Sequence, residues 1–139
     1  MASPKTHKND LDVGNDLLRL RITLSSEQVR GYAVAARMPG GRFESDAAAQ
    51  REGLPGQIVP GNLSIALFCR LIAESLPGAK LQRLNATFRG IVRPGEPLSL
   101  HGVVTERREE TSGVFLECDL VLESTEGERR VTGTATVLL

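Results

Sequence analysis

Hydrophobic and polar positions repeat with two different periods along this chain, and the places where the period changes set out its elements. The run LLRLRITL, from Leu17, puts Leu18, Leu20, Ile22 and Leu24 on one side and Arg19, Arg21 and Thr23 on the other. That is the pattern of a half-buried strand. Ser25, with Gln28 three residues later, opens a helix that presents Val29, Tyr32, Ala33 and Ala36 inward and must stop before Pro39 and Gly40. Ser45 then caps a short helix, DAAAQRE, which Gly53 closes. In GNLSIALFCRLIAESLPG, residues 61–78, only Ser64, Arg70 and Glu74 interrupt an apolar surface. Such a helix is expected to be enclosed by protein. With roughly 15 residues and an internal arginine it falls short of the about 20 apolar residues that a bilayer requires.

The last third returns to period two. Leu84, Ala86, Phe88 and Gly90 alternate with Asn85, Thr87 and Arg89, and Leu98, Leu100, Gly102 and Val104 with Ser99, His101, Val103 and Thr105. Val114, Leu116, Cys118, Leu120 and Leu122 form the inner row of a third strand, and Val131, Ala135, Val137 and Leu139 that of a fourth. The turns RPGEP, EETSG and STEGE are short, which favours antiparallel neighbours. The plan is α+β: a curved antiparallel sheet wrapped around a long central helix. Val103, Phe115, Val121 and Leu138 fall on the outer face, where a second copy is the expected cover. Residues 1–14 read as a polar, flexible arm and 15–139 as a single domain.

Composition narrows the function. Of 139 residues, 17 are basic and 17 acidic, and aromatics make up 4% with no Trp. Such a chain lacks both the positive excess and the stacking surfaces that nucleic acids demand. The start MASPKTHKND has no apolar core of the kind a signal peptide needs, so a cytoplasmic location is expected. Cys69 and Cys118 sit inside apolar patterns and read as small buried hydrophobes. His7 and His101 are too scattered to imply a metal site.

Taken in order, ITLSSEQVRGYAVAAR, SDAAAQREGLPGQIVPG, the apolar helix, VRPGEPLSLHGVV and VTGTATVLL resemble the MaoC-like hydratases of the hot dog fold, over about residues 17–139. The resemblance implies a protein that handles the acyl thioester of coenzyme A or acyl carrier protein, adding or removing water, with no cofactor. The family's tyrosine-led helix runs into Asp, any residue, then Asn-Pro-Ile-His. Laid from Tyr32, its Asp falls on Met38, its Asn on Gly40 and its His on Phe43, and its later His-Gly is Pro60-Gly61. Neither Met nor Phe can hold and release a proton. The resemblance therefore implies a hydratase homologue without its dyad, and no catalytic residue is assigned.

Met38, Arg42, Phe43, Ile58, Gly61 and Asn62 are the expected substrate-binding residues, the last two through the free amides of a helix start. The expected function is acyl-thioester binding without standard hydratase activity, as the non-catalytic half of a heteromer with a catalytic homologue or as a homodimer. The alternative is altered chemistry in the same pocket, as dehydratase, cyclase or thioesterase, carried by Arg42, Glu44 or Asn62; Asp46 also lies beside this loop. Glu44 and Asp46 otherwise suit the start of a short helix. His101 is assigned to solvent or a dimer surface. Arg89 and Arg93 read as a solvated face, with coenzyme phosphates as the other option. Membrane, nucleic-acid and metal partners are not expected.

Overall fold

The computed structural model describes residues 11–139. Its strands are β1 (Leu20–Ile22), β2 (Lys80–Phe88), β3 (Leu98–Glu110), β4 (Gly113–Ser124) and β5 (Arg129–Leu138). Three helices lie between the first two strands: α1 (Ser26–Ala35), α2 (Asp46–Arg51) and α3 (Gly61–Ser75), with a 3-10 turn at Gly41–Phe43. All strand pairs are antiparallel and the order is β1-β3-β4-β5-β2. The α+β expectation holds.

The inner rows read for β3, β4 and β5 form the core, whereas on β2 Leu84 and Ala86 are only half-buried and Phe88 is exposed, because β2 is an edge strand. Leu98, Leu100, Val104, Leu116, Cys118, Leu120, Leu122, Val131, Ala135 and Val137 are all buried, facing Leu67, Phe68, Leu71 and Ile72 of α3. Gly102 and Gly133 are the small positions of this inner surface. A Cβ on Gly133 would lie 3.0 Å from the Phe68 ring, so the glycine is what lets the helix seat its aromatic. Burial and the flanking Glu117 and Asp119 push the Cys118 thiol up to about 11, which keeps it an inert apolar group.

Three expectations are corrected. The central helix is not enclosed all round: Asn62, Ala66, Cys69, Arg70, Ala73 and Glu74 form an exposed face, so Cys69, unlike Cys118, is not buried. A single sheet covers one side of a rod, and the pattern of small apolar residues did not reveal which side stays open. The alternation in LLRLRITL breaks at its start, where Leu17 is buried and Leu18 exposed, because Leu17 N bonds to Gly102 O outside the β1 register. On α1 only Val29 and Ala33 are buried, while Ala36 has passed the helix end and is exposed.

Leu11 is buried, Arg107 Nη1 donates to its carbonyl, and Gly14 N donates to Val104 O, so residues 11–15 lie against β3. Residues 1–10 of the expected arm, with His7, lie outside the described residues. On the outer face Val103, Phe115, Val121 and Leu138 are half-buried within the protomer. Among the described residues no helix is long and apolar enough to cross a membrane.

Candidate functional site

The loop between α1 and α2 is held by local chemistry that the sequence announces and by one bracket that it does not. Ser25 and Gln28 form a capping box at the start of α1. At the far end Met38 N donates to Ala33 O and Arg37 N to Val34 O, which closes the helix with Arg37 at φ 53° in the position where glycine is usual. Ser45 accepts from Ala48 N at the start of α2. The bracket is Gln57, which is 2% exposed. Its Nε2 donates to the carbonyls of Phe43 (2.9 Å) and Ser26 (3.2 Å), its Oε1 accepts from the Ser26 hydroxyl, and its backbone N donates to Asp46 Oδ1 (2.8 Å). A single buried amide therefore ties the loop, α1 and α2 together. A buried polar group with all its bonds made rigidifies its surroundings.

The loop side chains enclose apolar space. Ala33, Val34, Met38, Pro39 and Phe43, with Arg30, Arg37 and Glu44, line a pocket of about 450 Å³. Phe43 is buried, with the Arg42 guanidinium 5.0 Å from its ring centre. Met38 is half-buried. Met38 and Phe43 thus bring a thioether and a phenyl ring, which fill volume, to this loop. Glu44 is the only carboxylate among the residues lining this pocket, and it is exposed.

The other candidates fall nearby. Ile58 N donates to Arg42 O at 2.9 Å, so Ile58 ties the loop to the segment leading into α3. Gly61 and Asn62 open α3 with no side-chain cap from Pro60, and Leu63 N and Ser64 N turn back to Pro60 O. A Cβ on Gly61 would come within 2.9 Å of the Phe88 ring, so glycine is what allows Phe88, itself half-exposed, to lie over the helix start. None of Ile58, Gly61 and Asn62 lines the apolar pocket. Ser64, on the first turn, is buried with its hydroxyl unpartnered among the described residues. Its flanking residues gave no signal of this.

His101 lies 2.8 Å from Glu123 Oε1 on the outer sheet face, far from the loop in the strand order. Arg89 Nε donates to Thr132 Oγ1 and Arg93 Nη2 to Asp46 Oδ1. Asp46 is therefore held by Arg93 and Gln57, and the apolar pocket does not include it. Among the described residues no group of three or more His, Cys, Asp or Glu side chains could hold a metal ion.

No family model matches the sequence, and no curated protein matches it. Solved structures do. The (R)-hydratase from A. caviae involved in PHA biosynthesis superposes with a TM-score of 0.84 at 25% identity, covering 93% of this chain and 97% of that one. The MaoC-like dehydratase from Rhodospirillum rubrum gives 0.83 at 22% identity, covering 95% and 94%. The ChsH1-ChsH2 complex from Mycobacterium tuberculosis gives 0.81 at 19% identity, covering 92% and 98%. The five-stranded sheet curved over α3 is thus a hot dog fold, and the structural neighbours of this chain are the MaoC-like (R)-hydratases and dehydratases.

Proposed function

We propose that this chain binds the acyl thioester of coenzyme A or acyl carrier protein without performing standard hydration, as the non-catalytic half of a pair with a catalytic homologue. The observation that carries this reading is the filling of the loop: Met38 and Phe43 occupy the positions of the proton carriers and line an apolar pocket. A positioned acid or base is worth about 10² to 10⁴ in rate, and this loop supplies neither at those positions. The amides of Gly61 and Asn62, at a helix start with no side-chain cap, are the groups this reading assigns to a thioester carbonyl.

A partner subunit is supported by two surfaces. The exposed face of α3 presents Ala66, Cys69 and Ala73, and β2, at the sheet edge, carries the half-exposed Phe88 and the exposed Leu81. An uncovered edge strand beside an exposed helix face that carries small residues is a surface that pairs readily. One structural neighbour, ChsH1-ChsH2, is itself a complex of two different chains.

The test is hydration of a trans-2-enoyl-CoA by the purified chain, followed by loss of the enoyl absorbance. The expected result is no turnover alone and acyl-CoA binding detectable by calorimetry. Turnover by the lone chain in the usual enzymatic range of about 1 to 10³ s⁻¹ would sink the reading. A second reading, altered chemistry in the same pocket, is favoured by Glu44 at the pocket rim. It predicts turnover of some acyl thioester that disappears in Glu44→Gln.

A further inference from the structure

At the N-terminal end of α1, away from the apolar pocket, Ser25, Ser26, Arg30, Ser45, Asp46 and Arg93 line a separate cavity of about 310 Å³. Its hydrogen-bonding capacity is unbalanced. The Ser25 oxygen already accepts from Gln28 N and the Ser45 oxygen from Ala48 N, so what each still offers is its O–H. Ser26 and Gln57 are spent on each other. Arg30 uses Nη1 on Ser26 and on the Glu44 carbonyl, leaving its other donors. Among the described residues Arg93 has only Nη2 engaged, on Asp46 Oδ1 at 3.3 Å, which leaves Nη1 as its free donor; its Nε, also without a partner, is buried away from the open space. Asp46, the one carboxylate lining this cavity, accepts twice at Oδ1, and its Oδ2 is not bonded among the described residues. Two guanidinium groups face one carboxylate, and the capped start of α1 adds its positive end.

Arg93 is seated by design of the backbone. A Cβ on Gly56 would fall 2.0 Å from Arg93 Nη2 and 2.7 Å from Asp46 Oδ1, so only glycine leaves room for the ion pair beside the chain. Such a guanidinium with an unpaired donor, in a cavity where donors outnumber acceptors, is matched by an acceptor-rich anion.

From this we infer that the cavity is a binding site for a phosphoryl group, held by Arg93 and Arg30 with the hydroxyls of Ser25 and Ser45. The donors come from three separate chain segments, which suits a tetrahedral anion. A planar carboxylate would need the Arg93 fork that Asp46 already half occupies. The volume sits at the low end of ligand pockets, roughly 300 to 1,000 Å³, enough for a phosphate with part of the molecule carrying it. The inference stands apart from the acyl-thioester reading, because none of Met38, Phe43, Gly61 and Asn62 lines this cavity.

The experiment is an NMR titration of the ¹⁵N-labelled full chain with inorganic phosphate, coenzyme A and unphosphorylated pantetheine, with chloride at matched ionic strength as reference. Phosphate and coenzyme A should shift the amides of Ser26, Asp46 and Gly95, the last also lining the cavity; pantetheine and chloride should not. Arg93→Gln should weaken the response by about tenfold or more, the worth of one charge-assisted bond. Asp46→Asn, which keeps the Oδ1 acceptor for Gln57 and removes the competing charge, should tighten it several-fold, a gain that misfolding cannot mimic. Coenzyme A binding more tightly than phosphate assigns the group to a carrier; equal affinities assign it to free phosphate. Equal shifts with chloride, or unchanged affinity in both variants, overturn the site. Failure of the acyl-thioester reading would instead leave the resonances of Met38 and Phe43 silent to an acyl-CoA while these three amides still respond to phosphate.

Discussion

The two ends of α1 open onto two pockets that share Arg30 and have little else in common. At the C-terminal end Ala33, Val34, Met38, Pro39 and Phe43 enclose apolar space, while at the N-terminal end serines and two arginines enclose a surplus of donors. The first is lined mainly by apolar side chains, with Glu44 its single carboxylate; the second sets hydroxyl and guanidinium donors beside Asp46. Gln57 touches both, through the Phe43 carbonyl on one side and Asp46 on the other. The lesson is that this loop is ordered by one set of groups and filled by another: the Gln57 bracket is separate from the side chains that line the apolar pocket.

Substitutions can break that contrast, beginning with the largest. Phe43→Ala should destabilise the chain by about 3 kcal/mol or more if the ring is packing, as its burial and the Arg42 contact indicate. Urea unfolding measures this, and a loss under about 1 kcal/mol would mean that the ring is not part of the packed structure. Gln57→Leu strands the carbonyls of Phe43 and Ser26 and should cost about 2 to 3 kcal/mol. Amide exchange in that variant should accelerate at both ends of α1 together; acceleration at one end alone would show that the pockets are not joined through this residue. Gly56→Ala should cost about 1 kcal/mol, because the partly exposed Arg93–Asp46 pair can swing aside. Its thermal midpoint should fall by only about 3 to 5 °C, and a drop of more than about 10 °C would show that the pair cannot move. Smallest is Arg37→Gly, expected to gain about 0.5 kcal/mol by relieving a left-handed arginine at the rim of the apolar pocket. A loss of stability there would reveal a contact made by the arginine that offsets its backbone cost.

Much of the fold was legible because local rules and tertiary packing agree. Ser25 with Gln28, Ser45 with Ala48, and the inner rows of β3, β4 and β5 are where the residue pattern places them. The candidate site was legible only in part. Met38 and Phe43 were found through the family motif, but Gln57 was not, since an amide in GLPGQIVPG carries no sign that it will be buried and bonded to residues 14 and 31 positions away. Ser64 and the slot at Gly56 escaped for the same reason.

The sequence by itself determined the periodicities, the caps and the absence of Asp and His from the loop, because each depends on neighbours a few residues apart. Only the tertiary structure decided which face of α3 stays open, why Cys69 is exposed while Cys118 is buried, and that serines and arginines from distant segments meet around one cavity. Those outcomes depend on how one sheet curves over one helix, and a curved layer covers a single side of a rod whatever the composition of the other.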